Sequence, residues 1–77
     1  MLDPVIVGTV LQRLREEQHK SQELVSGLAG IGRTHLSAIE RGERKPTLET
    51  FYKIAHALGK RPSFIMAQIE QEMDAKN

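Results

Sequence analysis

The 77-residue chain contains no cysteine, so neither a disulfide framework nor a thiolate metal site can hold its fold. No apolar run approaches the roughly 18 residues that span a bilayer. Met1-Leu2-Asp3-Pro4 also lacks the basic-then-apolar order of a secretory signal, and the expectation is a cytoplasmic protein. An excess of one charge is missing too: eleven Lys and Arg face ten Asp and Glu, for a net charge of +1. There is no glycine-rich phosphate loop after a strand, no cysteine nucleophile and no paired-carboxylate cleft. His19, His35 and His56 fall on different predicted helices or at their ends, and no two have the spacing of metal ligands. No enzyme activity, catalytic residue, metal or cofactor is expected.

The charge that is present is unevenly placed. Residues 33–61 hold seven cations (Arg33, Arg41, Arg44, Lys45, Lys53, Lys60 and Arg61) against Glu40, Glu43 and Glu49. The segments on either side are net acidic. Positive charge therefore collects around one stretch of chain, which becomes a candidate for phosphate contact.

The apolar pattern is helical throughout, without strand alternation or repeats. Asp3 and Pro4 read as an N-cap and first helical residue, followed by Val7, Val10, Leu11 and Leu14 on one face of a helix from about Pro4 to Gln18. Ser21 caps a second, short helix with Val25, Leu28 and Ala29 inward, ended by Gly30 in a left-handed conformation. A third begins near Arg33, buries Leu36 and Ile39, and stops at Gly42. Thr47 caps a fourth carrying Leu48, Phe51, Ile54, Ala55 and Leu58, and Gly59 stops it. Pro62 opens a fifth through Phe64, Ile65, Met66, Ile69 and Met73. The expectation is an all-α, compact five-helix bundle forming one domain over residues 1–77, with 62–77 as its C-terminal helix.

Within it, the second and third helices hinge on a small-residue turn, and the third is led by polar and cationic side chains. That pattern predicts a helix-turn-helix, whose second helix rests on the body and offers Arg33, Thr34 and Ser37 to base edges in a DNA major groove. Gln22, Gly30, Ile31, the run Arg33-Thr34-His35-Leu36-Ser37, Ile39-Glu40-Arg41-Gly42 and Pro46 carry a wider likeness. In order and spacing, over roughly residues 7–66, they resemble the phage-repressor type helix-turn-helix, the Cro/CI or xenobiotic-response-element family. Departures are Val25 and Ser26 for the usual Leu and Ala, Gly27 inside the second helix, Lys20 for an often apolar residue, and Gly32 for a hydroxyl N-cap.

The resemblance implies roles residue by residue. Gly32, Arg33, Thr34, Ser37 and Ala38 fall at base-reading positions. Arg33 can donate two parallel hydrogen bonds to guanine, or touch phosphate alone. Thr34 and Ser37 offer hydroxyls, while Gly32 and Ala38 offer only close approach or a methyl contact. Gln22 takes the place of a phosphate-binding glutamine that also braces the recognition helix. His35 stands where the family often has tyrosine, with a phosphate, a base edge and a half-buried neutral ring all open to it. Arg41, Arg44 and Lys45 sit where the family's loop meets the DNA backbone, with the helix start at Thr47 as a further phosphate site. Glu43 among them leaves room for one or two idle cations. Arg15 and Glu40 match an internal ion pair that orients the reading helix.

Met66, Ile69 and Met73 continue an apolar stripe along the last helix. Either this stripe pairs with a second copy, making residues 62–77 a dimerisation element, or it packs on Leu2, Val5 and Ile6. A small chain whose core barely offsets its entropy favours pairing. The expected function is a sequence-specific double-stranded DNA-binding transcriptional regulator, a repressor acting as a homodimer on an inverted repeat. The alternative is a protein-interaction module such as an antitoxin, with a toxin or polymerase as partner and DNA secondary.

Overall fold

The computed structural model describes residues 1–76. Five helices follow in chain order: α1 (Pro4–Glu17), α2 (Gln22–Ala29), α3 (Arg33–Glu40), α4 (Leu48–Ala57) and α5 (Pro62–Lys76). Three of them start where a short polar side chain can accept a bond from an otherwise unpaired amide. Asp3 Oδ1 accepts from the Val5 amide at 2.9 Å, Ser21 Oγ from Leu24 at 3.0 Å, and Thr47 Oγ1 from Thr50 at 3.0 Å. By contrast, α3 starts from Gly32 with no side-chain cap.

Glycines in the left-handed region end the chain's turns where the sequence predicted them: Gly30 (φ 70°), Gly42 (φ 77°) and Gly59 (φ 66°). The helical part of α3 nevertheless stops at Glu40, two residues before Gly42, because the closing turn satisfies its own carbonyls. The Gly42 amide donates to Ile39 O, and those of Glu43 and Arg44 to Ala38 O.

The helices pack in a closed ring, with α1 against α3 and α5, α4 against α2 and α5, and α2 against α3. At its centre lie Val10, Leu11, Val25, Leu36, Ile39, Ile54, Ile65 and Ile69, each all but inaccessible to solvent. The start of α1 can press unusually close to the end of α3 because Gly8 lacks a side chain. A Cβ there would stand 2.3 Å from Ile39 O and 2.6 Å from Glu40 O. Gly42 reciprocates, since a Cβ on it would meet Val5 Cα at 2.8 Å.

One inward assignment needs correction, and two other apolar residues of the helical pattern also prove exposed. Leu28 is 60 % exposed, because the buried face of α2 is Val25, Ser26 and Ala29 and residue 28 falls on its flank with Leu24. Leu48 is 82 % exposed as the first residue of α4, beyond the edge of the core. Phe64 is also exposed, its ring 5.2 Å from the Lys60 ammonium. The largest correction concerns the assembly stripe. Ile69 has 0 % exposure. It lies four residues after Ile65 on the same face, so the two are buried together where α5 meets α1 and α4. Ile69 is therefore a core residue rather than a surface one offered to a second copy. Met66 and Met73 are half-buried at the margin of that core.

Candidate nucleic-acid interface

One face of α3 is sealed and the other is open, as its sequence dictates. Leu36, Ile39 and Glu40, at i, i+3 and i+4, are buried. Gly32, Arg33, Thr34 and Arg41 are exposed, and His35, Ser37 and Ala38 are half-buried. All five residues expected to read bases thus lie off the packed face, with the first three at the helix start.

The far end of the same helix is held by a polar cluster. Arg15 Nε donates to Glu40 Oε2 at 2.7 Å and Nη2 to Oε1 at 3.0 Å, a two-pronged fork. Arg15 Nη1 donates to Lys20 O at 2.8 Å, and Gln22 Nε2 donates to Glu40 Oε1 at 2.9 Å. The hydrogen bond to Glu40 raises the Arg15 pKa above its ordinary value, against the opposing effect of burial. Among the described residues no buried side-chain N or O atom lacks a partner. This matters because an unpaired charge at such a site would cost far more than the pair gains.

Gln22 is thus turned to Glu40, the bracing half of the role expected of it. The amide group links α2 to α3 directly, and Glu40 joins both to Arg15 on α1.

On the outer side of the same turn a second fork forms. Arg41 Nε and Nη2 donate to Glu43 Oε2 and Oε1 at 2.8 and 3.0 Å, while Nη1 donates to Ser37 Oγ. Both partners are exposed to solvent. Each shifts the other's titration: the guanidinium holds the Glu43 carboxyl below the usual carboxylate range, and the carboxylate raises Arg41. The Arg41 fork is therefore occupied from within the chain. Arg33, Arg44 and Lys45 have no carboxylate partner among the described residues, and all three are exposed.

The loop carrying Arg44 and Lys45 folds back under α3 through the two amide bonds to Ala38 O, then enters α4 at Thr47. Thr47 Oγ1 is engaged with Thr50, accepting its amide and lying 3.0 Å from Thr50 Oγ1. Its place at the start of a ten-residue helix leaves the first amides of α4 directed outward.

Three contributors to this geometry went unseen in the sequence. Gly8 sits mid-helix and carries no turn signal, and only its contact with the α3 carbonyls explains it. The Lys20 ammonium, odd at an often apolar position, reaches Ala57 O at 3.4 Å, while Gln18 Nε2 donates to Leu58 O at 2.8 Å. Both serve carbonyls left unpaired at the end of α4.

Comparison with known proteins places the chain. A helix-turn-helix family model matches residues 11–65. An uncharacterized HTH-type transcriptional regulator of Sinorhizobium fredii, y4dJ, is 44 % identical over 54 residues, covering 70 % of each chain. The ImmF control region 10 kDa protein of Bacillus phage phi105 is 36 % identical over 55 residues, 71 % of this chain and 61 % of that one. Among solved structures, the restriction-modification controller protein C.AhdI of Aeromonas hydrophila is similar with a TM-score of 0.80 and 34 % identity, over 84 % of this chain and 98 % of the other. An exposed polar edge on a braced third helix, together with these matches, identifies the chain as a member of the Cro/CI-type helix-turn-helix family of transcriptional regulators.

Proposed function

We propose that the protein is a sequence-specific double-stranded DNA-binding repressor that acts as a homodimer on an inverted repeat and occludes polymerase. The observation that carries this reading is the asymmetry of α3. Its leading turn is exposed and cationic, while its other end is clamped by Gly8, Arg15 and Gln22. A reader must be rigid and uncovered at once, since base-edge hydrogen bonds discriminate only when their donors arrive in a fixed register.

In this reading Arg33 takes guanine O6 and N7, with Thr34, Ser37, Ala38 and Gly32 against neighbouring bases. Gln22, His35, Arg44, Lys45 and the start of α4 at Thr47 set the register on phosphates. Two copies related by a two-fold axis place their α3 helices about 34 Å apart, one turn of duplex. With Ile69 in the core, the surface for the second copy is the apolar margin around Met66, where Leu2, Leu48 and Phe51 line a shallow pocket. The alternative of a protein-interaction module built on α5 loses its central anchor with Ile69.

Selection of bound duplexes from a random pool, followed by a salt series, tests the reading. The expected result is an inverted repeat whose affinity falls steeply between about 50 and 200 mM salt. Recovery of no preferred sequence overturns it. For the assembly, Leu48→Glu is expected to shift sedimentation toward monomer with helicity retained, and an unaltered sedimentation profile removes this margin from the interface.

A further inference from the structure

Two serines on the helix-turn-helix use their hydroxyls in opposite ways. Ser26, buried in α2, donates its proton to Glu23 O at 3.2 Å, the local back-bond common for a helical serine. Ser37 makes no such bond among the described residues. Its Oγ instead accepts from Arg41 Nη1, one helical turn on, and Arg41 is held in place by the two-pronged grip of Glu43. Glu43 reaches Arg41 only because the left-handed Gly42 between them folds the chain back.

We infer that Arg41 and Glu43 are positioning residues for Ser37, fixing its hydroxyl as a hydrogen-bond donor, and that position 37 thereby rejects cytosine at the base it faces. The inference rests on the proposal that α3 enters the major groove. A serine hydroxyl has one proton and two lone pairs, so an unconstrained one either donates or accepts and discriminates poorly. Here one lone pair is taken by a cation. The guanidinium polarises the O–H outward and repels any further N–H directed at the remaining lone pair. In the major groove guanine offers N7 and O6, thymine O4, and adenine N7 beside its amino group, all of which can accept from Ser37. Cytosine offers only its N4 amino donor there. A hydroxyl fixed as donor next to a cation therefore finds no partner on cytosine and tolerates the other three bases.

The chain of contacts has a direction. Carboxylate accepts from guanidinium, guanidinium donates to hydroxyl, and hydroxyl donates to base. Arg41 then contributes to specificity without touching a base, in place of the plain phosphate contact expected of its position. Both oxygens of Glu43 are engaged by Arg41, which leaves Nη1 as the guanidinium nitrogen directed at Ser37.

The test is pool selection read position by position for the full-length protein and for Ser37→Ala, Arg41→Ala, Glu43→Gln and the Ser37→Ala/Arg41→Ala double variant. At one position per half-site the unaltered protein is expected to deplete cytosine about fivefold, the size of one net hydrogen bond. Ser37→Ala and Arg41→Ala are each expected to abolish that depletion, the double variant to add nothing further there, and Glu43→Gln to weaken it while leaving overall affinity equal or tighter. Melting curves of all four are expected to match the parent, which separates positioning from folding. Retained cytosine depletion in Arg41→Ala, with every sequence weakened by the same factor, overturns the inference and makes Arg41 a phosphate contact. A selected site that has no position sensitive to Ser37 overturns the inference alone. A parent protein that selects no sequence overturns the proposed function as well.

Discussion

Glu40 and Arg41 are neighbours in the chain, and each belongs to an arginine–carboxylate fork of nearly the same dimensions, yet the two forks do different things. Arg15–Glu40 closes at 2.7 and 3.0 Å inside the domain, and Arg41–Glu43 closes at 2.8 and 3.0 Å in water. Geometry alone does not distinguish them. What differs is the alternative open to each group when the fork breaks. A freed Arg41 or Glu43 is left in solvent, whereas a freed Arg15 or Glu40 stays buried with only the Lys20 carbonyl or the Gln22 amide still bonded to it. The inner fork therefore holds the C-terminal end of α3 against α1 and α2, and the outer one joins the turn at Gly42 to Ser37 on the open side of α3.

The comparison can be broken most forcefully at the inner fork. Glu40→Ala is expected to cost about 3–5 kcal/mol by leaving Arg15 buried without its two-pronged partner, with the Lys20 carbonyl and the more distant Glu16 all that remain to it. Chemical denaturation checks this, and a loss no greater than that of a surface substitution would put the two forks on one footing. Next comes the close approach that lets the inner fork form. Gly8→Ala is expected to cost about 1–3 kcal/mol, because its methyl must displace the carbonyls of Ile39 and Glu40. Amide exchange at the end of α3 is the accompanying readout, and unchanged protection there would show that α1 does not clamp it.

Smaller effects sharpen the contrast. Gly27→Ala is expected to stabilise by about 0.5–1 kcal/mol, since a helical glycine gives up backbone entropy on folding and nothing lies within 4 Å of the added methyl. A raised melting temperature with the inner fork intact would show that α2 is the soft member of the motif. Least of all, Glu43→Ala is expected to leave the melting temperature unmoved at neutral pH. Acid has the same sense: a carboxyl held below its usual range contributes only above that range, and its small contribution is lost as pH falls through the folded value. A melting temperature that drops sharply in Glu43→Ala would mean the outer fork is structural after all.

Much of the fold was legible because helix ends are written in local chemistry. Asp3-Pro4, Ser21 and Thr47 each provide a cap that satisfies a nearby amide, and Gly30, Gly42 and Gly59 each adopt a backbone conformation costly for other residues. The family resemblance correctly implied the Arg15–Glu40 pair, which no periodicity would have singled out across 25 residues. The polar, outward edge of α3 was legible from its own amphipathic pattern, as were the exposed cations of the following loop. Leu28, Leu48, Phe64 and Ile69 were not, for a common reason. Periodicity says which residues share a face but not how much of that face the rest of the chain covers. Short α2 buries a narrower strip than its sequence suggests, and α5 lies with Ile65 and Ile69 wholly beneath α1 and α4.

The amino-acid order by itself determined five helices, their capped starts, the turn between α2 and α3, and a basic stretch beside an exposed polar edge, because each of these depends on residues within a few positions of one another. Which apolar side chains are sealed, how closely Gly8 lets α1 approach α3, and which of two similar forks is buried were decided only when distant segments met. Burial is a property of neighbours brought together from across the chain, and the dielectric around a charge is set by those neighbours rather than by the charge itself.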